Sequence, residues 1–278
     1  MRLGGPILVP TETPEAWIAA LRRLGYSTAA CPVGPDSPPS DKIDYRRAAQ
    51  RENIVIAEVG AWSNPISADS VERAKAITYC QRQLALAEEM DAKCCVNIAG
   101  SRGKKWDGPD PANDSSETFD LIVETVRKII DAVKPARTAY ALEPMPWAPP
   151  DSPDSYLALI KAIDRKGFAV HLDAVNMINC PARAYHSGDF VRECFSKLGP
   201  HIRSCHAKDI RLTQQLTVHL DECCPGEGIF DYHVFMKGMA NLPPDTPVLL
   251  EHMGNAEEYQ AGADYIRKVA AETGTTLQ

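Results

Sequence analysis

The sequence alternates short apolar runs with longer amphipathic stretches, and this alternation repeats eight times along 278 residues. Most of the apolar runs are continuous, which is typical of parallel strands that are covered on both faces. Two neighbouring parallel strands need a crossover connection, so each amphipathic stretch is predicted to be a helix between two strands. Eight such units in about 250 residues indicate a closed (β/α)₈ barrel.

The predicted elements account for the whole chain, so we expect a single TIM-barrel domain over residues 1–278. An open doubly wound sheet is the alternative fold, but Pro10-Thr11-Glu12 follows the first strand where a G-x-G-x-x-G turn would be expected. The predicted strands are Leu3–Leu8, Ser27–Cys31, Ile54–Val59, Lys93–Ile98, Thr138–Glu143, Phe168–Asp173, Ile202–His206 and Pro247–Glu251. The predicted helices are Thr13–Gly25, Asp41–Arg51, Ala68–Met90, Ser115–Lys134, Ser152–Ile163, Asp189–Leu198, Tyr232–Met239 and Glu257–Glu272.

Composition restricts the classes of partner. Thirty Lys and Arg against 37 Asp and Glu give a formal net charge of −7, which disfavours nucleic acid and anionic membranes as partners. The apolar stretch near the N-terminus is too short and broken for a signal peptide, and no run approaches the roughly 20 apolar residues of a membrane span. We therefore expect a cytoplasmic protein.

The nine cysteines fit a reducing compartment, because an odd number cannot form a fully paired disulfide framework. Two adjacent pairs occur, Cys94-Cys95 and Cys223-Cys224, and neither has the C-x-x-C spacing of a structural zinc site. We expect Cys94 and Cys95 to be small apolar residues in a buried strand.

The last four predicted strands each end in a residue type that binds metals. These residues are Glu143, Asp173, His206 and Glu251. In a barrel the carboxyl ends of consecutive strands lie side by side on one rim, so three carboxylates and one imidazole would meet there and repel one another without a cation. Hard oxygen donors with one nitrogen favour a single divalent ion, Mn²⁺ first, with Mg²⁺, Co²⁺ and Zn²⁺ as alternatives.

Several segments at these strand ends resemble the xylose-isomerase-like TIM barrels, and more narrowly the sugar phosphate isomerase/epimerase group. The resemblance covers the whole chain. It is carried by AEVGAWSN (Ala57–Asn64), NIAGSRG (Asn97–Gly103), ALEPMPW (Ala141–Trp147), HLDAVN (His171–Asn176), HAKD (His206–Asp209), PGEG (Pro225–Gly228) and LLEH (Leu249–His252).

The resemblance implies that Glu143, Asp173, His206 and Glu251 bind one divalent metal and that Glu143 and Glu251 are the catalytic acid/base pair. The implied reaction removes a proton beside the carbonyl of a ketose or related keto-sugar through an enediolate. Return of the proton to the other face gives epimerisation, and transfer between adjacent carbons gives isomerisation. Barrels of this kind often pair, so a homo-oligomer is compatible with the resemblance.

The substrate side of the site is predicted from residues that follow the strands. Trp62 and Trp147 can stack on a sugar face, Lys208 and Arg211 can hold an anion or polarise a carbonyl, and Glu227 belongs to the Gly-rich PGEG segment. Asn176 lies where several ketose 3-epimerases carry His, and this weakens the transfer of that substrate label.

Two histidines beside the predicted ligands are interpreted as structural. His171 lies two residues before Asp173 and is expected to point into the barrel, as a core residue or a support for the ligands in preference to a direct ligand. His252 follows Glu251 directly and is expected to face the opposite side of the strand.

One other function remains open, and two more are disfavoured. A dehydratase or lyase acting on a keto-sugar or keto-inositol would use the same metal and a Glu base, because loss of a proton beside a carbonyl precedes elimination as well. An apurinic-site endonuclease is disfavoured, since those enzymes use three metals and more His ligands, and the segment before PGEG lacks the expected Asp-x-His. A non-catalytic binding barrel would not need all four ligand types.

Overall fold

Eight parallel strands close into a barrel in the computed structural model, which describes residues 1–278. The barrel strands are β1 (Arg2–Gly4), β2 (Thr28–Ala30), β3 (Val55–Gly60), β4 (Cys94–Asn97), β5 (Tyr140–Leu142), β6 (Phe168–Leu172), β7 (Ile202–Ala207) and β10 (Pro247–Leu250). Around the barrel the order is β1-β10-β7-β6-β5-β4-β3-β2, and this confirms the predicted (β/α)₈ fold.

Nine α-helices cover the outside of the barrel, of which eight lie between strands and the last follows the final strand. They are α1 (Pro14–Leu24), α2 (Pro39–Arg51), α3 (Ser70–Met90), α4 (Ser116–Val133), α5 (Pro153–Ile163), α6 (Pro181–Tyr185), α7 (Ser187–Leu198), α8 (Tyr232–Met239) and α9 (Ala256–Thr273). None of them has the combination of length and apolar character that crossing a bilayer requires.

Local signals set the helix ends where the sequence predicts them. The hydroxyl of Thr13 accepts a hydrogen bond from the backbone N–H of Ala16, Pro14 opens α1, and Gly25 ends it with a φ of 66°. The α4 helix similarly begins after Ser115, whose hydroxyl accepts from the backbone N–H of Thr118. Because capping residues mark the helix ends, the sequence predicts helix boundaries more closely than strand boundaries.

Six of the eight barrel strands are shorter than predicted, among them β1, where pairing stops at Gly4 instead of continuing to Leu8. Pro6 lacks the N–H that a ladder needs. Cys94 and Cys95 are fully buried in β4, as expected of small apolar residues.

An antiparallel hairpin between β7 and α8 is absent from the prediction. Its strands are β8 (Asp209–Leu212) and β9 (Leu220–Cys223), paired from Asp209 with Cys223 to Leu212 with Leu220. Its sequence mixes charged and apolar residues, because most of the hairpin lies on the surface. It extends the chain directly from the end of β7 over the rim of the barrel.

Candidate metal centre

Four side chains from four neighbouring barrel strands meet at the carboxyl ends of those strands. One potential ligand atom from each of the four lies within 4.8 Å of all the others, and the four are Glu143, Asp173, His206 and Glu251. Nδ1 of His206 lies 2.8 Å from Oε2 of Glu251 and 3.4 Å from Oε1 of Glu143. The structure therefore brings together the four residues that the sequence selects.

The carboxylates of Asp173 and Glu143 are positioned by hydrogen bonds from backbone N–H groups and from the side-chain amide of Asn176. Oδ1 of Asp173 accepts hydrogen bonds from the backbone N–H groups of Val175 and Asn176, at 2.9 and 3.1 Å. The Asn176 amide in turn donates to Oε1 of Glu143 at 3.0 Å. Oδ2 of Asp173 is buried and accepts no hydrogen bond, as expected of an oxygen that a metal would bind.

A buried ammonium lies beside this cluster. Nζ of Lys208 is 2.7 Å from Oε1 of Glu251, 3.0 Å from Oδ2 of Asp173 and 2.8 Å from Oε1 of Glu222. The contact with Asp173 is an ion pair without hydrogen-bond alignment. Burial alone would lower the pKa of Lys208, but the surrounding carboxylates raise it well above its usual value. Lys208 is therefore a charged group inside the protein.

The titration of the cluster reflects an excess of negative charge. Burial and the charges of Glu251 and Glu143 raise the pKa of Asp173 to about 7, although Lys208 opposes them. Burial also acts on Glu251, but His206 and Lys208 hold its pKa well below the ordinary range. For His206 the loss of hydration is outweighed by nearby carboxylates, which raise its pKa well above the usual value. Without a metal, protons bound to Asp173 and His206 thus offset part of the negative charge of the cluster.

This donor set fits a divalent metal ion. Three carboxylates and one imidazole converge on one point, and hard oxygen donors with one nitrogen suit Mn²⁺, Mg²⁺, Co²⁺ or Zn²⁺. Oδ2 of Asp173 is the second indication, because it accepts no hydrogen bond and its cationic contact, the ammonium of Lys208 at 3.0 Å, is shared with Glu251 and Glu222.

A second group of titratable side chains lies beneath the first, inside the barrel. Oε1 of Glu58 is 3.3 Å from Nε2 of His206, and Oε2 of Glu58 is 3.6 Å from Nδ1 of His171. All three residues are buried. Burial and the charge of His206 lower the pKa of His171 to about 4, so His171 is neutral. The expected supporting position of His171 agrees with this arrangement.

A cavity of about 860 Å³ opens onto the cluster, which is within the usual size of ligand pockets. Glu143, Glu251 and Asn176 form part of its lining, and three tryptophans with large exposed surfaces lie around it. These are Trp62, Trp106 and Trp147. The indole N–H of Trp147 donates to the carbonyl of Asp107, which joins two loops at the mouth.

Not all of the predicted substrate residues line this cavity. Trp62, Trp147 and Asn176 do, whereas Lys208 lies beneath it among carboxylates. The guanidinium of Arg211 and the carboxylate of Glu227 are exposed and lie 3.3 Å apart, outside the lining. Substrate contact by Lys208, Arg211 and Glu227 stays a prediction.

Two cavity residues were not anticipated. Glu222 on β9 lines the cavity, and its carboxylate is 2.9 Å from Nδ1 of His252. The expectation that His252 faces the opposite side of the strand from Glu251 is wrong: β10 ends at Leu250, His252 has a left-handed backbone with a φ of 59°, and both residues line the cavity. Recognising the β8–β9 hairpin in the sequence would have placed Glu222 near the cavity. No sequence signal specifies the left-handed conformation of His252.

Asp209 holds the backbone of the PGEG segment (Pro225–Gly228) in place. Its buried carboxylate accepts hydrogen bonds from four backbone N–H groups, those of Ile210, Gly226, Gly228 and Phe230. A Cβ atom on Gly228 would lie 2.2 Å from Oδ1 of Asp209, so only glycine allows this approach. Asp209 thereby fixes the loop that follows the hairpin.

Comparison with known proteins places the fold. The family model described as "Xylose isomerase-like TIM barrel" matches residues 18–269. The structure is similar to a xylose isomerase-like TIM barrel protein from Mycobacterium smegmatis in complex with magnesium, with a TM-score of 0.67 and 18% identity over 97% of this chain and 92% of that one. The sequence matches no curated protein significantly.

Two further solved structures carry names of enzymes. D-psicose 3-epimerase with D-tagatose from Clostridium cellulolyticum H10 has a TM-score of 0.68 and 17% identity, over 97% of this chain and 99% of that one. A probable 3-DHS dehydratase from Bacillus anthracis has a TM-score of 0.70 and 18% identity over 94% of each chain. At these identities the likeness concerns the fold.

Proposed function

The chain belongs to the xylose isomerase-like TIM barrel family, and on that premise we propose that it is a divalent-metal-dependent sugar isomerase or epimerase. Its substrate would be a ketose or related keto-sugar, from which a proton beside the carbonyl is removed. The observation that carries the proposal is the convergence of Glu143, Asp173, His206 and Glu251 at the floor of a cavity.

The four converging side chains are the residues that would hold the ion. A bound divalent cation supplies positive charge that polarises a carbonyl and stabilises negative charge developing on its oxygen. Asp173 is oriented for this by the backbone N–H groups of Val175 and Asn176, which donate to Oδ1 and leave Oδ2 without a hydrogen-bond donor.

Glu143 and Glu251 are proposed to move the protons. They enter from β5 and β10, which flank β6 and β7 in the barrel, so the two carboxylates approach from the two ends of a four-strand arc. One carboxylate removes the proton beside the carbonyl, and the other returns a proton to the adjacent oxygen or to the carbon. Asn176 holds Glu143 by a 3.0 Å hydrogen bond, and Lys208 holds Glu251 at 2.7 Å.

The cavity supports a carbohydrate substrate. Trp62 and Trp147 are each 42% exposed, and such aromatic faces suit the apolar face of a sugar ring. The Asn176 amide also lines the cavity and can donate to a substrate hydroxyl. Solved structures of the same fold include an epimerase crystallised with D-tagatose, which agrees with this class of substrate.

A dehydratase of a keto-sugar or keto-inositol is the second candidate, and His252 favours it. The His252 imidazole lines the cavity, and its hydrogen bond with Glu222 raises its pKa. A protonated imidazole beside the substrate could donate a proton to a departing hydroxyl group. One structure of similar fold is named a probable dehydratase.

Exchange of substrate hydrogen with solvent tests the proposed reaction. A panel of ketoses, keto-sugars and their phosphates is incubated with the protein and Mn²⁺ in D₂O and followed by NMR. Deuterium at the carbon beside the carbonyl, with the substrate's mass otherwise retained, is the expected result for an isomerase or epimerase. Loss of water from the product would favour the dehydratase, and no exchange with any compound would contradict both.

Metal analysis tests the site independently of turnover. We expect about one divalent ion per chain, and a stabilisation by Mn²⁺ of about 2.7 kcal/mol at a hundredfold excess over the dissociation constant. Asp173→Asn should abolish both effects. The matched control is Asp120→Asn, an exposed residue of α4 remote from the barrel rim, and it should leave both unchanged. Metal bound equally by Asp173→Asn would rule out this site.

A further inference from the structure

We propose that Glu58 is a positioning residue that fixes the metal-binding tautomer of His206. In this inference Glu58 accepts the Nε2–H of His206, so that the lone pair of Nδ1 faces the metal. The inference rests on the proposed function, because it assumes that His206 is a metal ligand. Glu58 belongs to none of the strand ends that carry the predicted ligands.

The two nitrogens of His206 face different partners. Nδ1 points toward the carboxylates of the candidate metal centre, 2.8 Å from Oε2 of Glu251. Nε2 points the other way and lies 3.3 Å from Oε1 of Glu58. A histidine that binds a metal through one nitrogen carries its proton on the other, and that N–H usually donates to a carboxylate or carbonyl. The arrangement therefore selects Nδ1 as the ligand atom.

The contact crosses the interior of the barrel. Glu58 is on β3 and His206 on β7, and these strands are four places apart in a ring of eight, so they face each other. The hydroxyl of Ser204 donates to Oε2 of Glu58 at 3.4 Å, which leaves Oε1 for His206. The Glu58 side chain reaches the ring from the side opposite to the metal ligands.

Glu58 acts through His206 and not on the substrate. It is only 6% exposed and does not line the cavity that opens onto Glu143 and Glu251. No other residue forms a hydrogen bond with Nε2 of His206, so Glu58 is the one acceptor available to an N–H at that position. A carboxylate in this place is also unusual for a strand interior, which otherwise contains apolar residues on both sides of it.

His171 limits the movement of the His206 ring. Its own ring lies 4.1 Å from that of His206 in an edge-to-face arrangement, with an angle of 79° between the planes. Both nitrogens of His171 are buried without a hydrogen-bond partner. His171 therefore restricts the His206 ring by packing alone. Since His171 forms no hydrogen bond with Glu58, it does not compete with His206 for the Glu58 carboxylate.

Zn²⁺ affinity tests the proposal without reference to activity. In Glu58→Gln the neutral amide accepts the Nε2–H more weakly, or turns its own N–H toward the ring and favours the wrong tautomer. We expect Zn²⁺ binding to weaken by about 10- to 100-fold, as for other supporting carboxylates. Glu222→Gln is the control, since it removes a carboxylate near the same centre that does not contact His206. An equal loss in both variants would mean that only charge matters and would overturn the proposal.

The tautomer itself can be observed in the Zn²⁺-loaded protein. With ¹⁵N-labelled histidine, and His206→Asn to assign the signals of the seven histidines, long-range ¹H–¹⁵N spectra should show His206 protonated at Nε2 and bound through Nδ1. Binding through Nε2 would overturn the role of Glu58. Glu222→Gln should keep the wild-type pattern.

The remaining outcomes separate this proposal from the proposed function. If the wild type binds no Zn²⁺, the metal site itself is contradicted and Glu58 has no such role. If Glu58→Gln binds Zn²⁺ as tightly as the wild type, only the role of Glu58 is contradicted. If Glu58→Gln loses the circular dichroism of the folded barrel, Glu58→Asp decides: several-fold weaker binding supports the proposal, and unchanged binding overturns it.

Discussion

The ammonium of Lys208 lies 2.7 Å from Oε1 of Glu251, although the lysine side chain is only 1% exposed. A second carboxylate, that of Asp173, is 3.0 Å away. In the absence of metal, this one side chain offsets much of the repulsion between carboxylates that come from β6 and β10.

Lys208→Met should therefore destabilise the metal-free protein by about 3–5 kcal/mol, because it leaves buried carboxylates without their cation. Urea unfolding in the presence of a chelator measures this, and added Mn²⁺ should recover part of the loss. Lys166→Met is the matched control, since Lys166 is exposed between α5 and β6 and should change stability by no more than about 0.5 kcal/mol. A Lys208→Met protein as stable as the control variant would show that the buried charge is dispensable.

Replacement of either proposed proton carrier should strongly reduce turnover and leave the fold intact. Glu143→Gln and Glu251→Gln each retain the shape of the side chain but cannot accept a proton, so we expect kcat to fall by about 10²- to 10⁴-fold on the substrate found by deuterium exchange. Glu124→Gln on α4 is exposed and should retain full activity. Near-normal turnover by Glu143→Gln would exclude it as an acid or base.

The approach of Gly228 to Asp209 predicts a sharp difference between two Gly→Ala substitutions. In Gly228→Ala the new methyl group would lie 2.2 Å from Oδ1 of Asp209 and 2.4 Å from the carbonyl oxygen of Ile210, so we expect a loss of about 1–3 kcal/mol. Gly34 has no atom within 4 Å of the position its Cβ would take. Thermal unfolding should show Gly34→Ala close to the wild type, and similar losses in both variants would contradict the packing argument.

Stability at alkaline pH should depend on Cys194. Burial raises the pKa of this thiol to about 12, from an ordinary value of 9.0. The folded protein thus favours the neutral thiol, and its contribution is complete below pH 9 and is lost as the pH rises through 12. Above pH 9 the thiol ionises in the unfolded chain before it ionises in the folded protein. The free energy of unfolding therefore falls, at a limiting slope of about 1.4 kcal/mol per pH unit for one group.

Cys194→Ala should accordingly lose less stability than the wild type between pH 8 and pH 10.5, although it will be less stable at pH 8 because a buried side chain is truncated. Urea unfolding at several pH values measures the two slopes. Identical slopes would mean that Cys194 ionises equally in both states.

The sequence predicts those parts of the site that depend on strand ends. Glu143, Asp173, His206 and Glu251 each follow or end an apolar run, and the barrel topology brings such positions together whatever the exact strand lengths. Glu143, Asp173 and Glu251 lie one residue beyond their strands, and His206 lies one residue inside β7. A shift of one residue did not alter the convergence.

The missing parts depend on contacts between residues far apart in the sequence. Glu58 lies within a strand, and its partner on β7 is 148 positions away, so only the closed barrel reveals the pair. Glu222 reaches the cavity through the β8–β9 hairpin, which is held in part by Asp209 and the backbone of the PGEG segment. Propensity and periodicity do not encode either relationship.

The pairing of β1 with β10, from Arg2 with Pro247 to Gly4 with Leu249, closes the barrel. Glu251 follows this final strand, so during synthesis three of the four proposed ligands emerge before the fourth, and the ring closes only through contacts of very high sequence separation. Such contacts form slowly, because a long loop must be ordered first. A nascent chain would therefore hold an incomplete set of donors, and uptake of the ion would mark the end of barrel assembly.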